Sequence, residues 1–184
     1  MRIIAGTRRS LPLCAPPGKE TRPTTDRIKE TLFNILQDRI HGCYFLDLFA
    51  GSGQIGLEAL SRGARFSCFV EQGREACKCI TDNIRFTRFE KESLLLPMEA
   101  ERALRRLEGK KSFDLVFMDP PYESSLEQGT LRLLKETGIL NRDAWVILEA
   151  PIRAKADFAE VLGYTVFREK EYKTNKHIFM KENG

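Results

Sequence analysis

The stretch Tyr44–Gly63, YFLDLFAGSGQIGLEALSRG, restricts the fold more than any other part of the chain. It opens on an apolar run from Tyr44 to Phe49 that only Asp47 interrupts. Gly51, Gly53 and Gly56 follow in the spacing G-x-G-x-x-G, and Ile55, Leu57, Ala59 and Leu60 then recur at helical spacing. This reads as strand, tight turn and helix, a unit whose glycine backbone can approach a ligand at the strand's carboxyl end. Alone, the glycine spacing is a weak signal, because glycines also mark ordinary turns. The flanking patterns strengthen it. So does Glu71, which ends the next apolar run (Phe66 to Val70) twenty positions after Gly51 and is placed to hold ribose hydroxyls.

A dinucleotide site uses such a turn to approach a pyrophosphate, and its strand is normally apolar to the end. Here Asp47 precedes the glycines. A carboxylate there would repel a diphosphate and suits a ligand with an ammonium or sulfonium group. S-adenosylmethionine has both, and a ribose for Glu71. The run Asp47-Leu48-Phe49-Ala50-Gly51-Ser52-Gly53 resembles motif I of the Rossmann-like methyltransferases. On this stretch alone, a NAD-dependent oxidoreductase stays open as the alternative.

At 184 residues the chain is long enough for one well-buried core and short for two. No apolar run approaches a membrane span, and the basic start MRIIAGTRRS lacks the apolar core and cleavage site of a secretory signal, so a cytoplasmic protein without a membrane partner is expected. The cysteines Cys14, Cys43, Cys68, Cys77 and Cys79 contain no C-x-x-C pair, and His41 and His177 stand near no metal-like cluster. Reduced thiols, no metal and two surface histidines are expected. The net charge is +4, and its placement is uneven. Residues 1–40 hold eight Lys/Arg against four acids, whereas the other 144 hold 22 of each sign. A basic extension over 1–40 on a neutral body over 41–184 suggests a polyanionic partner such as nucleic acid; a merely solvated basic surface is an equal alternative on charge alone.

Residues 2–5 and 10–15 read as short strands of a hairpin with Arg8 and Arg9 at its tip. Pro16-Pro17-Gly18 breaks the chain, and Thr24 or Thr25 can cap a helix whose apolar face is Ile28, Leu32, Ile35 and Leu36. After the central unit come a strand over 65–71, a helix over 74–88, a short strand over 94–96 and a helix over 101–107. A strand over 113–118, a helix over 126–136, a strand over 144–148 ending at Glu149 and a helix over 154–162 follow. Residues 164–172 and 177–181 close the chain as a hairpin. Cys77 and Cys79 fall on different faces of their helix, which argues against a paired site. Such alternation predicts an α/β fold with a mostly parallel, seven-stranded sheet and an antiparallel terminal hairpin.

Asp119-Pro120-Pro121-Tyr122 follows the apolar strand over 113–118, at the same sheet edge as the glycine turn. In a doubly wound sheet the first and fourth strands are neighbours at the switch point, so the two motifs should share one crevice. An exocyclic amine on a nucleobase is a poor nucleophile, because its lone pair is delocalised into the ring. The Asp119 carboxylate and the Pro120 carbonyl, gripping its hydrogens, would favour a pyramidal nitrogen with a localised lone pair. The prolines keep both acceptors aimed. Tyr122 offers a flat face for a base taken out of its stack. Isolated, D-P-P-Y would read as a rigid turn with a capping aspartate; behind a buried strand and beside motif I, the chemical reading leads.

The whole order, from the basic hairpin through Arg22-Pro23-Thr24, Asp47 to Gly53, Phe69-Val70-Glu71 and Asp119 to Tyr122, resembles the RsmD family. Those are bacterial guanine-N2 methyltransferases of small-subunit (16S) ribosomal RNA, and the resemblance covers nearly the whole chain. It implies S-adenosylmethionine as donor, bound by Asp47, Phe49, Ala50, Gly51, Ser52, Gly53 and Glu71. It also implies Asp119, Pro120 and Tyr122 around the guanine, with Arg8, Arg9, Arg22, Pro23 and Thr24 assisting RNA binding. The partner implied is ribosomal RNA, within a 30S particle or assembly intermediate, and a monomer is expected. Two departures stand out. Where the family usually has Asp-Ala facing the cofactor adenine, this chain has Glu99-Ala100, and the family's Tyr-Gly in the final hairpin is Tyr172-Lys173.

Other D/N-P-P-Y enzymes methylate adenine N6 or protein glutamine. The motif alone does not separate them, although this chain has no room for a large DNA-recognition domain and carries Asp119 where the glutamine enzymes favour Asn. Asp47 and D-P-P-Y count against an oxidoreductase. The intact Asp119 counts against a non-catalytic RNA-binding module.

Overall fold

The computed structural model describes residues 1–16, 26–121 and 126–183. Its strands are β1 (Tyr44–Leu48), β2 (Phe66–Glu71), β3 (Ser93–Pro97), β4 (Phe113–Met118), β5 (Leu140–Pro151), β6 (Tyr164–Glu171) and β7 (Asn175–Glu182). Its helices are α1 (Asp26–Ile40), α2 (Gln54–Ser61), α3 (Arg74–Thr87), α4 (Ala100–Leu107), α5 (Leu126–Glu136) and α6 (Asp157–Val161). The strands form one sheet in the order β3-β2-β1-β4-β5-β7-β6. The first five are parallel, and β7 runs antiparallel to both of its neighbours. The expected α/β fold, with its mostly parallel sheet and antiparallel terminal hairpin, is therefore present.

The central strands are apolar because both of their faces are covered. On one face Phe45, Phe69, Phe117, Ile147 and Phe179 pack with α1, α2, α3 and two residues of the N-terminal segment, Ile3 and Leu13. On the other face Leu46, Val70, Val116 and Leu148 pack with α4, α5 and α6.

α2 is buried at every position from Ile55 to Ser61, since it lies between the sheet and residues 4–8. The N–H groups of Ile4 and Ala5 donate to Glu58 at 2.7 and 3.0 Å. Thr7 N–H donates to the Ser61 carbonyl at 2.8 Å, and a Cβ on Gly6 (φ 85°) would overlap that carbonyl. The N-terminal segment pairs only through the isolated bridge between Arg2 and Pro12, not as two full strands. Around that bridge Ile3 N–H donates to the Leu11 carbonyl and Leu13 N–H to the Met1 carbonyl, while the N–H groups of Ile4, Ala5, Thr7 and Arg8 are taken up by α2.

The extents of β5 and α6 and the buried face of α1 differ from expectation. β5 begins at Leu140 and ends at Pro151, because it pairs with β4 at Phe113 and with β7 through Asn175; the polar Asn141-Arg142-Asp143 hides its start in the sequence. α6 starts only at Asp157, after a turn in which Ala154 N–H donates to the Pro151 carbonyl. α1 buries Lys29 and Phe33 with Leu32, Leu36 and Ile40, so its inward stripe is rotated from the expected one. The helix caps expected at Thr24 or Thr25 lie outside the described residues, as do Arg22, Pro23 and Tyr122.

Candidate active site

β1 ends at Leu48, and Phe49 turns the chain with a left-handed φ of 63°, a conformation that costs an aromatic residue energy and that its surroundings must hold. Gly51 (φ 57°) and Gly53 (φ 76°) continue the turn where a side chain would be strained. A Cβ on Gly51 would meet nothing within 4 Å, so the backbone is open to the cleft there. A Cβ on Gly56 would collide with the Phe69 ring, so the third glycine serves helix–sheet packing.

Two carboxylates fix this turn from below and beside. Asp47 Oδ2 accepts from Gly56 N–H at 2.9 Å. Glu71 accepts from Gly51 N–H at 2.9 Å through Oε2 and from Gly73 N–H at 2.7 Å through Oε1. Ala50 N–H donates to the Val70 carbonyl at 2.9 Å, tying the turn to β2. Ser52 and Gly53 point into the body: Ser52 Oγ contacts Met1 Sδ at 3.1 Å, and the Ser52 carbonyl accepts from Asn83 at 2.9 Å.

Above the turn lies a cleft of about 1440 Å³, larger than the roughly 300–1,000 Å³ of a single small-ligand pocket and roomy enough for a nucleoside donor and a nucleotide together. Phe49, Gly51, Glu71, Glu99 and Ala100 line one end. Asp119 and Pro120 line the middle, and α1, α5 and the tip of the final hairpin form the outer walls. The two motifs share this cleft because β1 and β4 pair directly, Leu48 opposite Met118. Asp47, Ala50, Ser52 and Gly53 do not line it. Asp47 in particular is 2% exposed and sits under the turn, so it braces the loop instead of facing a ligand's ammonium group as expected.

The residues fit S-adenosylmethionine. Glu71 keeps acceptor capacity for a ribose diol beyond its two backbone contacts. Glu99 precedes α4 with no hydrogen bond from its side chain to the helix end, so its carboxylate is not spent there, and Met98 and Val70 supply apolar wall.

Burial dominates the electrostatics of the site. It pushes Asp47 well above the ordinary carboxylate value of 3.8, against the Gly56 N–H, with the charges of Asp119 and Glu71 pushing the same way. Asp119 is raised to about 7, first by burial and then by the charge of Glu149. Glu149 is itself buried; it accepts from Asn175 Nδ2 at 2.6 Å and lies 3.2 Å from His177 Nε2. The second ring nitrogen of His177 lies 3.1 Å from the Tyr172 hydroxyl.

The family model described as Conserved hypothetical protein 95 matches residues 1–181. The ribosomal RNA small subunit methyltransferase D of Haemophilus influenzae is 36% identical over 150 residues, 81% of this chain and 78% of that protein. The Escherichia coli protein of the same name is 35% identical over 153 residues, 83% of this chain and 75% of its own length. A solved conserved hypothetical protein from Streptococcus pyogenes superposes with a TM-score of 0.77 at 35% identity, covering 84% of this chain and 95% of that one. The chain belongs to the RsmD family.

Within the RsmD frame the N-terminal cations divide. Arg9 is exposed, whereas Arg8 Nε donates to the Thr87 carbonyl at the end of α3 at 2.7 Å and its guanidinium lies 5.3 Å over the Phe89 ring. Lys29 is fully buried 3.7 Å from Glu58, so it adds nothing to a basic surface. Cys14 and Cys79 bring their free thiols to 3.1 Å across the N-terminal segment and α3. His177, expected at the surface, is fully buried, because β7 lies between β5 and β6 and Phe117 and Phe179 meet its ring edge-on. The signal for Glu149 was present: like Asp47, Glu71 and Asp119, it is an acid at the carboxyl end of an apolar strand. The signal for His177 was only its apolar context, Ile178-Phe179-Met180.

Proposed function

We propose that this protein transfers the methyl group of S-adenosylmethionine to the exocyclic N2 of a guanine in small-subunit ribosomal RNA. The observation that carries the reading is the shared cleft: the Gly51–Glu71 corner and the Asp119-Pro120 corner open into one space at adjacent strands. The donor supplies a methyl group on a sulfonium centre. Glu71, Gly51 and Glu99 hold its nucleoside, and the acidic floor favours its positive charge. Asp119 and the Pro120 carbonyl accept from the guanine amine, and Tyr122 gives the base a face to stack on. Asp119 also suits guanine over adenine: it can accept from the protonated N1 of guanine, whereas adenine would set an acceptor against it.

Arg27, Arg105, Arg132, Lys170 and Lys173 line the outer parts of the cleft, interleaved with the exposed acids Glu101, Glu136 and Glu171. The cations suit an RNA backbone at the mouth. The names of the relatives support small-subunit ribosomal RNA as acceptor. We extend this to a 30S particle or assembly intermediate as substrate, to a cytoplasmic monomer, and to residues 1–40 as the part that grips RNA. The test is to incubate the protein and labelled donor with undermethylated 30S particles, digest the RNA and separate the nucleosides. Label in N2-methylguanosine is expected, and its loss in Asp119→Ala. Label in N6-methyladenosine, or only in added DNA or protein, would overturn the choice of substrate.

A further inference from the structure

A row of polar side chains runs across the sheet behind Asp119. Asp119 and Glu149 each follow the Met118–Leu148 pair by one residue, so Asp119 leaves β4 beside Glu149 of β5. Glu149 is the cross-strand partner of His177, and His177 of Lys170, which puts all three on one face. Glu149 is held from two sides, by Asn175 at 2.6 Å and by His177 at 3.2 Å. A carboxylate only accepts, so His177 Nε2 is the donor, and Nδ1 faces the Tyr172 hydroxyl. Placing a second buried acid beside Asp119 costs folding energy, and the two partners hold it in place.

We propose that Glu149, fixed by His177 and Asn175, is a positioning residue for methyl transfer: its negative charge beside Asp119 makes Asp119 the acceptor of the proton that the methylated amine sheds. The inference rests on the proposed amine methylation. As the amine nitrogen bonds to the methyl carbon, the carbon–sulfur bond breaks with its pair left on sulfur, and the nitrogen becomes cationic. One N–H proton then moves to the Asp119 carboxylate. Neutral amine, neutral sulfur and a neutral carboxylic acid result, and the acid returns its proton to water when the products leave. An ordinary carboxylate would be a weaker base; the raised Asp119, at about 7, is better matched to proton transfer near neutral pH. Among the described residues, the other charged groups around the row include Lys170 on β6, Arg27 on the α1 wall, Asp47 and Glu71 on the β1 and β2 side, Glu171 and Lys173 at the hairpin tip, and Arg168 near Tyr172.

Two measurements test this. In the wild-type protein, the carbon-13 signal of the Asp119 carboxyl should titrate near 7, and in Glu149→Gln at least roughly one pH unit lower. This needs no substrate. Single-turnover methyl transfer should then show an acidic limb that moves down with the carboxyl in Glu149→Gln, while the plateau rate falls several-fold because the acceptor is a weaker base. His177→Phe keeps the packing against Phe117 and Phe179 but removes the donor, and should move the limb the same way by less. A carboxyl that titrates in the ordinary range in the wild type, or a limb unmoved in Glu149→Gln, overturns the proposal. A plateau unchanged in Glu149→Gln overturns the proton-acceptor role of Asp119. A limb unmoved or raised in His177→Phe removes His177 as the positioning group. Absence of label in any guanine from the wild type would instead overturn the proposed function, leaving the carboxyl titration to judge Glu149.

Discussion

Asp47 lies one residue before the paired strand ends Leu48 and Met118 and Asp119 one residue after them, and burial raises the pKa of both. Because their folded values lie above 3.8, the unfolded chain ionises them first as pH rises. Their contribution to stability is therefore greatest in acid and is lost as pH rises, for Asp119 over the interval up to about 7. Asp47→Asn keeps an acceptor for Gly56 N–H and removes the charge. It should raise Tm at neutral pH, by roughly 2–4 °C for each kcal/mol gained in a domain of this size, and change little at about pH 3. Calorimetric scans across pH check this, and a lower Tm at neutral pH would show that the charge itself braces the turn. Glu71 works differently, with both oxygens on backbone N–H groups. Glu71→Ala should weaken S-adenosylmethionine binding by roughly 1.5–3 kcal/mol, the range for hydrogen bonds to a charged group. Unchanged affinity by titration calorimetry in a folded variant would remove Glu71 from the donor site.

α2 shows how one element can serve both core and site. Its amino end carries the glycine turn, while its far end is latched to the N-terminal segment by Glu58, which also pairs with Arg62 at 2.8 Å and lies near Lys29. Removing Glu58 leaves Lys29 buried beside it and the Ile4 and Ala5 amides without their acceptor. Glu58→Ala should cost about 3–5 kcal/mol, as breaking a buried pair does, and hydrogen exchange at Ile4 and Ala5 should accelerate before the rest of the fold opens. Lys29→Met should cost less, because Glu58 keeps Arg62 and both amides. Denaturation midpoints of the two variants check the order. The latch was not legible in the sequence. Glu58 and Lys29 sit on two separate helices, and each alone reads as an ordinary solvated charge.

At the scale of the whole molecule, the acids Asp119 and Glu149 lie inside the cleft, while its outer parts carry cations and exposed acids together. The basic bias of residues 1–40 is partly internal, since Lys29 is buried and Arg2 pairs with Asp26 at 2.9 Å. Arg9 is the exposed cation of the hairpin tip, so Arg9→Glu should lower the salt slope of RNA binding by roughly 0.7–0.9, the share of a single neutralised phosphate, with donor affinity unchanged. An unchanged slope in filter binding across salt would place the RNA path elsewhere. The sequence by itself determined the alternation of strand and helix, the parallel order that brings β1 beside β4, and the two motifs at that edge. Those follow from hydrophobic period and glycine and proline chemistry, which act over a few residues. Only the tertiary structure decided that Asp47 supports the turn from beneath, that Arg8 docks on α3, and that Glu149 and His177 stand behind Asp119. Each of those depends on which strands become neighbours and which faces are covered. Burial and proximity between distant residues set charge and hydrogen bonding there, and no local pattern encodes them.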